Sequence, residues 1–134
     1  GPHFDVFARL CDVDARGHSW NICDGLVRFG ADHAGAGSDG RAWSDATVPM
    51  SATAHRFAAG HRLRVQLAGG AHPRFARNTG TGEPPATATR LIPVDIEIGH
   101  GAGQPCALSL PVATGEAGPT RNRLADAEPI RCVS

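Results

Sequence analysis

The chain has 134 residues, a length that fits one domain with its own core. Its 13 basic residues are all arginines and are balanced by 13 acidic residues, so no net charge attracts nucleic acid or an anionic membrane. No apolar run approaches the roughly 20 residues of a membrane span. The sequence therefore argues against nucleic-acid and membrane partners. Its 17 glycines and 10 prolines, set between short apolar runs, predict many turns and an all-β fold.

A β-hairpin is predicted at the start of the chain. Residues 4–13 alternate between two faces, with Val6, Ala8 and Leu10 on the more apolar one. A turn cluster at residues 14–17 separates them from residues 20–29, which resume the apolar pattern. Two apolar runs joined by a short Gly-containing turn are typical of an antiparallel hairpin.

Four further strands are predicted from the same two-residue period, at residues 47–57, 61–68, 92–98 and 107–112. The clearest is residues 61–68, which place Leu63, Val65 and Leu67 on one face. Pro93 assigns its strand to a sheet edge or a bulge, because proline cannot donate a ladder hydrogen bond.

The segments between these strands predict loops. Residues 30–41 and 69–85 are rich in glycine and polar side chains. Residues 113–134 are polar and broken by prolines, and are expected to be a tail that is disordered or draped over the surface. No helix of convincing length is predicted, so the expected architecture is an antiparallel β-sandwich.

The four cysteines show no metal-binding or redox spacing. Cys11, Cys23, Cys106 and Cys132 form no CxxC pair. They are interpreted as small reduced thiols. A Cys11–Cys23 disulfide is the alternative, because a hairpin would bring these two residues near each other.

Two segments of the predicted turn come close to known motifs. Gly17-His18-Ser19-Trp20-Asn21 differs by one residue from the GxSxG nucleophile elbow, but the elbow needs a strand-to-helix turn and a strand follows here. Asp12, Asp14 and Gly17 match the first positions of a calcium-binding loop of the DxDxxG type. Arg16 stands there where an oxygen donor is needed, and Cys23 stands in place of the closing glutamate. Both segments are interpreted as parts of an ordinary hairpin turn.

The histidines do not form a recognisable metal motif. His55 and His61 are the only close pair, and a spacing of six suits neither a helix nor a strand chelate, although a turn could bring them together. They are interpreted as separate loop residues. Because HExxH, P-loop and dinucleotide-binding patterns are also absent from the sequence, no cofactor and no metal are expected.

A corner rich in arginine follows the fourth predicted strand. Its members are Pro73, Arg74, Phe75, Arg77 and Asn78. Arginines around an aromatic residue in a long loop are typical of a structured corner, in which guanidinium groups bind carbonyls or carboxylates. Ligand binding by this corner is the alternative.

Several segments, taken in chain order, resemble the C-terminal domain of the CocE/NonD hydrolases, which also closes the X-Pro dipeptidyl-peptidases. They lie at residues 5–28, 54–65, 70–78 and 108–112. The resemblance is carried by the corner at 73–78 and by a hairpin motif comprising Asp12, Asp14, Gly17, Asn21, Asp24 and Gly25.

The resemblance implies a jelly-roll-like, galactose-binding-like antiparallel sandwich that packs on an α/β-hydrolase domain. In that family the Ser-Asp-His triad belongs to the hydrolase domain, and no residue here matches a triad position. The chain is therefore expected to be a non-catalytic accessory domain. Its partner would be the catalytic domain of a serine hydrolase of esterase, acylase or dipeptidyl-peptidase type.

The resemblance also divides the chain. The sandwich is expected at residues 4–112, without the family's first strands. Residues 1–3 resemble an expression remnant, and residues 113–134 are expected to form the polar tail. Missing strands would leave open edges through which the chain forms homo-oligomers. No signal peptide is visible, which favours a cytoplasmic location without fixing one.

A free-standing jelly-roll module that binds a ligand or carbohydrate is the alternative function, since a fold does not fix a function. A stacked aromatic face would support it, and the two tryptophans and five phenylalanines offer little material for one.

Overall fold

The computed structural model describes residues 2–33, 43–101, 103, 106–113 and 130–133. Its strands are β1 (Phe4–Val13), β2 (Ser19–Phe29), β3 (Trp43–Ala46), β4 (Arg62–Ala68), β5 (Glu97–Gly99) and β6 (Ile130–Val133). A short 3₁₀ helix at Ala31–His33 is the only helical element in these ranges. Within the described residues, no helix is long and apolar enough to cross a membrane.

The strands form two antiparallel sheets, ordered β2-β1-β4 and β3-β6-β5. β1 and β2 pair along their whole lengths, from Phe4 opposite Phe29 to Val13 opposite Ser19, with one irregularity after Leu10. The predicted hairpin is confirmed. β4 pairs with the other side of β1, so β1 is the central strand of its sheet and is buried on both faces.

The hairpin turn is closed by the Asp14 carboxylate. Its Oδ1 accepts hydrogen bonds from the backbone N–H groups of Arg16, at 2.9 Å, and His18, at 2.8 Å. Gly17 has a φ of 89°, a conformation that favours glycine. These contacts account for the tight return of the chain from β1 into β2.

The core joins the two sheets. Phe4 and Val6 of β1 and Phe29 of β2 pack in one buried cluster with Ala46 of β3. The rings of Phe4 and Phe29 stack with centroids 4.7 Å apart. The partly buried side chains packed against this cluster are those of Val27, Val48, Val94, Ile96 and Ile98. The predicted all-β antiparallel sandwich is confirmed.

The prediction of a third strand at residues 47–57 is wrong. The strand in this region is β3, which ends at Ala46, and the following residues cross over β2 without ladder pairing. Ser51 donates its backbone N–H to the Asp24 carbonyl at 2.9 Å. A Cβ atom built on Gly25 would fall on the carbonyl oxygen of Pro49, so the crossing needs glycine at position 25.

The predictions for the later strands are partly wrong. Of residues 92–98, only the last two lie in a strand, as the start of β5. Pro93 has no N–H to donate to a ladder, and the N–H of Ile92 donates to the Thr79 carbonyl at 2.8 Å. Residues 107–112 form no strand, and Val112 is 80% exposed. Without a neighbouring strand, an alternating pattern does not form a ladder.

The expected tail contains β6, which lies between β3 and β5. The prediction that residues 113–134 lack regular structure is therefore wrong for Ile130–Val133. Residues 114–129 lie outside the described residues, as do residues 34–41 of the first predicted loop.

The alternative, a Cys11–Cys23 disulfide, does not form. Cys23 pairs with Leu10, the neighbour of Cys11, so the two thiols point to opposite faces of the sheet. Cys11, Cys23 and Cys106 are free. The side chain of Cys132 lies outside the described residues.

Candidate functional site

One face of the first sheet carries a buried ion-pair network that ties the arginine-rich corner to β1 and β2. Asp5 of β1 is 1% exposed. Its two carboxylate oxygens accept hydrogen bonds from Nε and Nη2 of Arg28, both at 2.8 Å. Asn78 donates from Nδ2 to Asp5 Oδ1, also at 2.8 Å. The hydrogen bonds to Asp5 raise the pKa of Arg28 above its ordinary value.

A second part of this network centres on Asp24 of β2, which is buried. Its Oδ1 accepts a hydrogen bond from Nε of Arg74 at 2.8 Å, and its Oδ2 lies 3.4 Å from Nη2 of Arg9. One carboxylate therefore faces two guanidinium groups, one from the corner and one from the sheet.

Aromatic rings hold the corner against the sheet between these ion pairs. The Phe75 ring lies 6.1 Å from that of Phe7 on β1, at an interplanar angle of 59°. The guanidinium of Arg74 lies 5.6 Å from the Phe75 ring centroid, and that of Arg9 lies 5.0 Å from the Phe7 centroid. Cation–π contacts of this kind favour one orientation of each arginine.

The structure thus brings three of the five predicted corner residues, Arg74, Phe75 and Asn78, into contact with the sheet. Pro73 follows a cis peptide bond and is exposed. Arg77 is exposed and has no ion pair with a described residue.

Sequence reasoning missed the partners of this corner. Asp5, Arg9 and Arg28 are charged residues of the apolar hairpin strands. Asp5 and Arg9 belong to the less apolar face of β1, and charges in a central strand are rarely buried unless they are paired. The charged residues on that face of β1 are a signal that could have been matched with the arginines of the corner. The sequence alone does not show which residues pair, because the partners lie far apart in the chain.

A second cluster forms at the far end of β1 around Asp12. Nε2 of His55 lies 2.8 Å from Asp12 Oδ2, and Nδ1 of His61 lies 2.8 Å from Oδ1. The interpretation of these histidines as separate loop residues is wrong, because a turn brings both to one carboxylate. The hydrogen bond with His55 is the largest cause that lowers the pKa of Asp12; burial opposes it, and the bond with His61 adds to it.

The remaining hairpin residues serve the turn and the strand crossing. Asp14 holds the turn, and Asn21 Oδ1 lies 3.5 Å from the Cys11 thiol. Ser19, the serine of the near-elbow, begins a strand and is not followed by a helix. The described residues hold no cluster of three or more His, Cys, Asp or Glu side chains placed to bind a metal ion.

Residues 1–114 match the family described as the X-Pro dipeptidyl-peptidase C-terminal non-catalytic domain. The chain belongs to this family. The match covers the hairpin, the corner and the ion-pair network. The resemblance to the C-terminal domain of the CocE/NonD hydrolases is confirmed, and the matching family is described as non-catalytic.

One curated protein adds to this comparison. Over 81 residues the chain is 31% identical to the cocaine esterase of Rhodococcus sp. (strain MB1 Bresler). The alignment covers 58% of this chain and 14% of the esterase, so the domain spans a small part of that protein's length. No solved structure matches the chain significantly.

Proposed function

We propose that this X-Pro dipeptidyl-peptidase C-terminal domain is an accessory domain of a serine hydrolase that cleaves ester or amide bonds. It packs on the α/β-hydrolase catalytic domain and shapes its surroundings. The membership in a non-catalytic family and the similarity to an esterase support this proposal. The ion-pair network fixes the corner against the first sheet, which suits a packing role.

The observation that carries the proposal is an apolar patch at one end of the first sheet, formed by exposed side chains on both sides of the Asp12 cluster: Leu63 and Val65 on β4, and Trp20 on β2. Trp20 is 50% exposed, Leu63 is 52% exposed and Val65 is 40% exposed. Leu63 and Trp20 both pair with Asp12, on opposite sides of β1, and therefore point to the same face.

This face is the one that forms the core elsewhere in the sheet. Val65 pairs with Leu10, which shares its face of β1 with Phe4 and Val6. β4 is an edge strand of its sheet. Large apolar side chains on an exposed face mark interaction surfaces, and covering the exposed half of each one stabilises a complex by about 1 kcal/mol.

The test is binding to the hydrolase domain encoded in the same reading frame. That domain and this chain are produced separately and mixed, and their association is followed by isothermal titration calorimetry. The Leu63→Asp/Val65→Asp double variant should lose association. Leu91→Asp, which changes a 61% exposed leucine outside the patch, should associate like the unchanged chain.

Two results would overturn the proposal. One is a reading frame without a hydrolase domain. The other is equal association by the double variant and the unchanged chain, which would show that the patch plays no part in packing.

The alternative, a free-standing carbohydrate-binding module, gains little from the structure. Trp20 is exposed, but Phe4, Phe7 and Phe29 are buried. The Trp20 ring meets the ring of His18 edge-on, with the two centroids 6.0 Å apart. The described residues therefore do not present the stacked aromatic platform that sugar binding favours.

A further inference from the structure

An open cleft lies between the arginine-rich corner and the adjoining strands β1 and β4. Its volume is about 520 Å³, within the range of pockets that bind small molecules. The lining residues that matter for recognition are Phe7, Arg9, Gln66, Pro73 and Arg74. The cleft lies on the face of the sheet opposite the apolar patch.

The cleft carries more positive than negative charge. Arg9 and Arg74 both line it, and their shared partner is the single carboxylate of Asp24. The Arg9 contact is long, at 3.4 Å, and Nε of Arg9 is buried without a hydrogen-bond partner among the described residues. One carboxylate therefore compensates two guanidinium groups incompletely, and a buried donor is left unpaired.

Neighbouring arginines of β4 add to this charge. Arg64 and Arg62 alternate with Leu63 and so point to the same face as Gln66, which lines the cleft. Both are exposed, and neither has an ion pair with a described residue. A concentration of one charge along a concave surface attracts ligands of the opposite sign.

The two lining arginines are already held in place. Asp24 and the Phe75 ring fix Arg74 from two sides, while Asp24 and the Phe7 ring contact Arg9. The side chain of Arg74 remains 56% exposed, so its outer nitrogens can reach a second anion. A preordered guanidinium loses little entropy when it binds, which favours affinity.

We propose that this cleft binds a carboxylate carried on an apolar body. The carboxylate accepts hydrogen bonds from the Arg9 and Arg74 guanidinium groups, whose planar geometry matches its two oxygens. The apolar body lies against Phe7 and Pro73. This binding site is independent of the proposed function, because it uses the opposite face of the sheet.

The experiment is a titration of the 134-residue chain with 3-phenylpropionate, followed by ¹H–¹⁵N NMR at pH 7. The amide signals of the lining residues should change position as ligand is added. These changes should saturate and give a dissociation constant on the order of 1 mM, as expected for a ligand of this size. The neutral amide 3-phenylpropionamide should cause no saturable shifts.

Variants assign the binding to the two arginines. Arg74→Gln and Arg9→Gln should each weaken binding by about tenfold or more, because each loses a charge-assisted hydrogen bond. Arg77→Gln removes an exposed arginine of the same corner and should leave affinity unchanged. The thermal midpoint of each variant is measured alongside, and Arg74→Lys, which keeps the charge without the planar fork, should bind with intermediate affinity.

Three outcomes would overturn the proposal. The first is the absence of saturable binding by the unchanged chain. The second is unchanged affinity in folded Arg74→Gln and Arg9→Gln. The third is tighter binding of inorganic phosphate than of 3-phenylpropionate at the same residues, which would assign the cleft to phosphate ligands instead.

Discussion

Asp5 and Arg28 form a two-pronged ion pair between neighbouring strands, with Nε–Oδ1 and Nη2–Oδ2 distances of 2.8 Å each. Nη2 of Arg28 also donates to the Ala76 carbonyl of the corner at 2.6 Å. The pair therefore joins the central hairpin to a loop that follows it far along the chain. Because it links both strands of the hairpin to the loop, this contact specifies where the corner docks.

Replacing Asp5 with asparagine should destabilise the fold by roughly 2–3 kcal/mol, because the Arg28 guanidinium loses its counter-charge. The loss should be smaller than for a fully buried pair, since the Arg28 side chain is 38% exposed. Urea unfolding measures the effect. Asp95→Asn, at an exposed position without a described ion pair, is the matched control and should change stability by less than about 0.5 kcal/mol.

Gly25→Ala should destabilise the fold by about 3 kcal/mol or more. The added methyl group would meet the Pro49 carbonyl, a backbone atom that moves only if the crossing segment moves. Gly103→Ala is the control, because a Cβ there meets no atom within 4 Å. Equal unfolding free energies for the two variants would show that the crossing over β2 is not as close as described.

The Asp12 cluster should make stability depend on pH in the acid range. Its hydrogen bonds with His55 and His61 lower the Asp12 pKa below the ordinary 3.8, so the carboxylate stabilises the fold above that pH. This contribution is lost as the pH falls through the lowered value. The difference in thermal midpoint between the unchanged chain and Asp12→Asn should be largest above pH 3.8 and shrink below it. A constant difference across that range would contradict the assignment.

The isolated chain should associate with itself as its concentration rises, because the apolar patch and the β4 edge are uncovered. Light scattering should show an average mass that increases with concentration. The Leu63→Asp/Val65→Asp variant should stay monomeric where Leu91→Asp does not. A monomer at high concentration without any substitution would contradict this expectation.

The sequence predicts the hairpin and β4 well because each has a local signal. The period of two in β1 and the glycine of the turn are visible within a few residues, and the pairing follows from proximity. β3 and β6 carry no such signal: Trp43–Ala46 and Ile130–Val133 are short, and each is a strand because it pairs with the other. Residues 47–57 show the converse, an alternating pattern without a partner strand.

The same distinction applies to the site. The corner at Arg74 and Asn78 is recognisable from its composition, but its partners Asp24 and Asp5 are 50 and 73 positions away in the chain. The meeting of His55 and His61 at Asp12 depends on the path of the intervening turn. Contacts of this kind are set by the folded arrangement, and the spacing of residue types does not reveal them.

The most direct measurement is labelling of the purified chain with a fluorophosphonate, which reacts with activated serine nucleophiles, together with hydrolysis of an activated acyl ester. As a non-catalytic domain, the chain should remain unlabelled and should hydrolyse the ester no faster than a heat-unfolded sample. Stoichiometric labelling of one serine in the folded chain, with ester turnover that the label abolishes, would contradict the account.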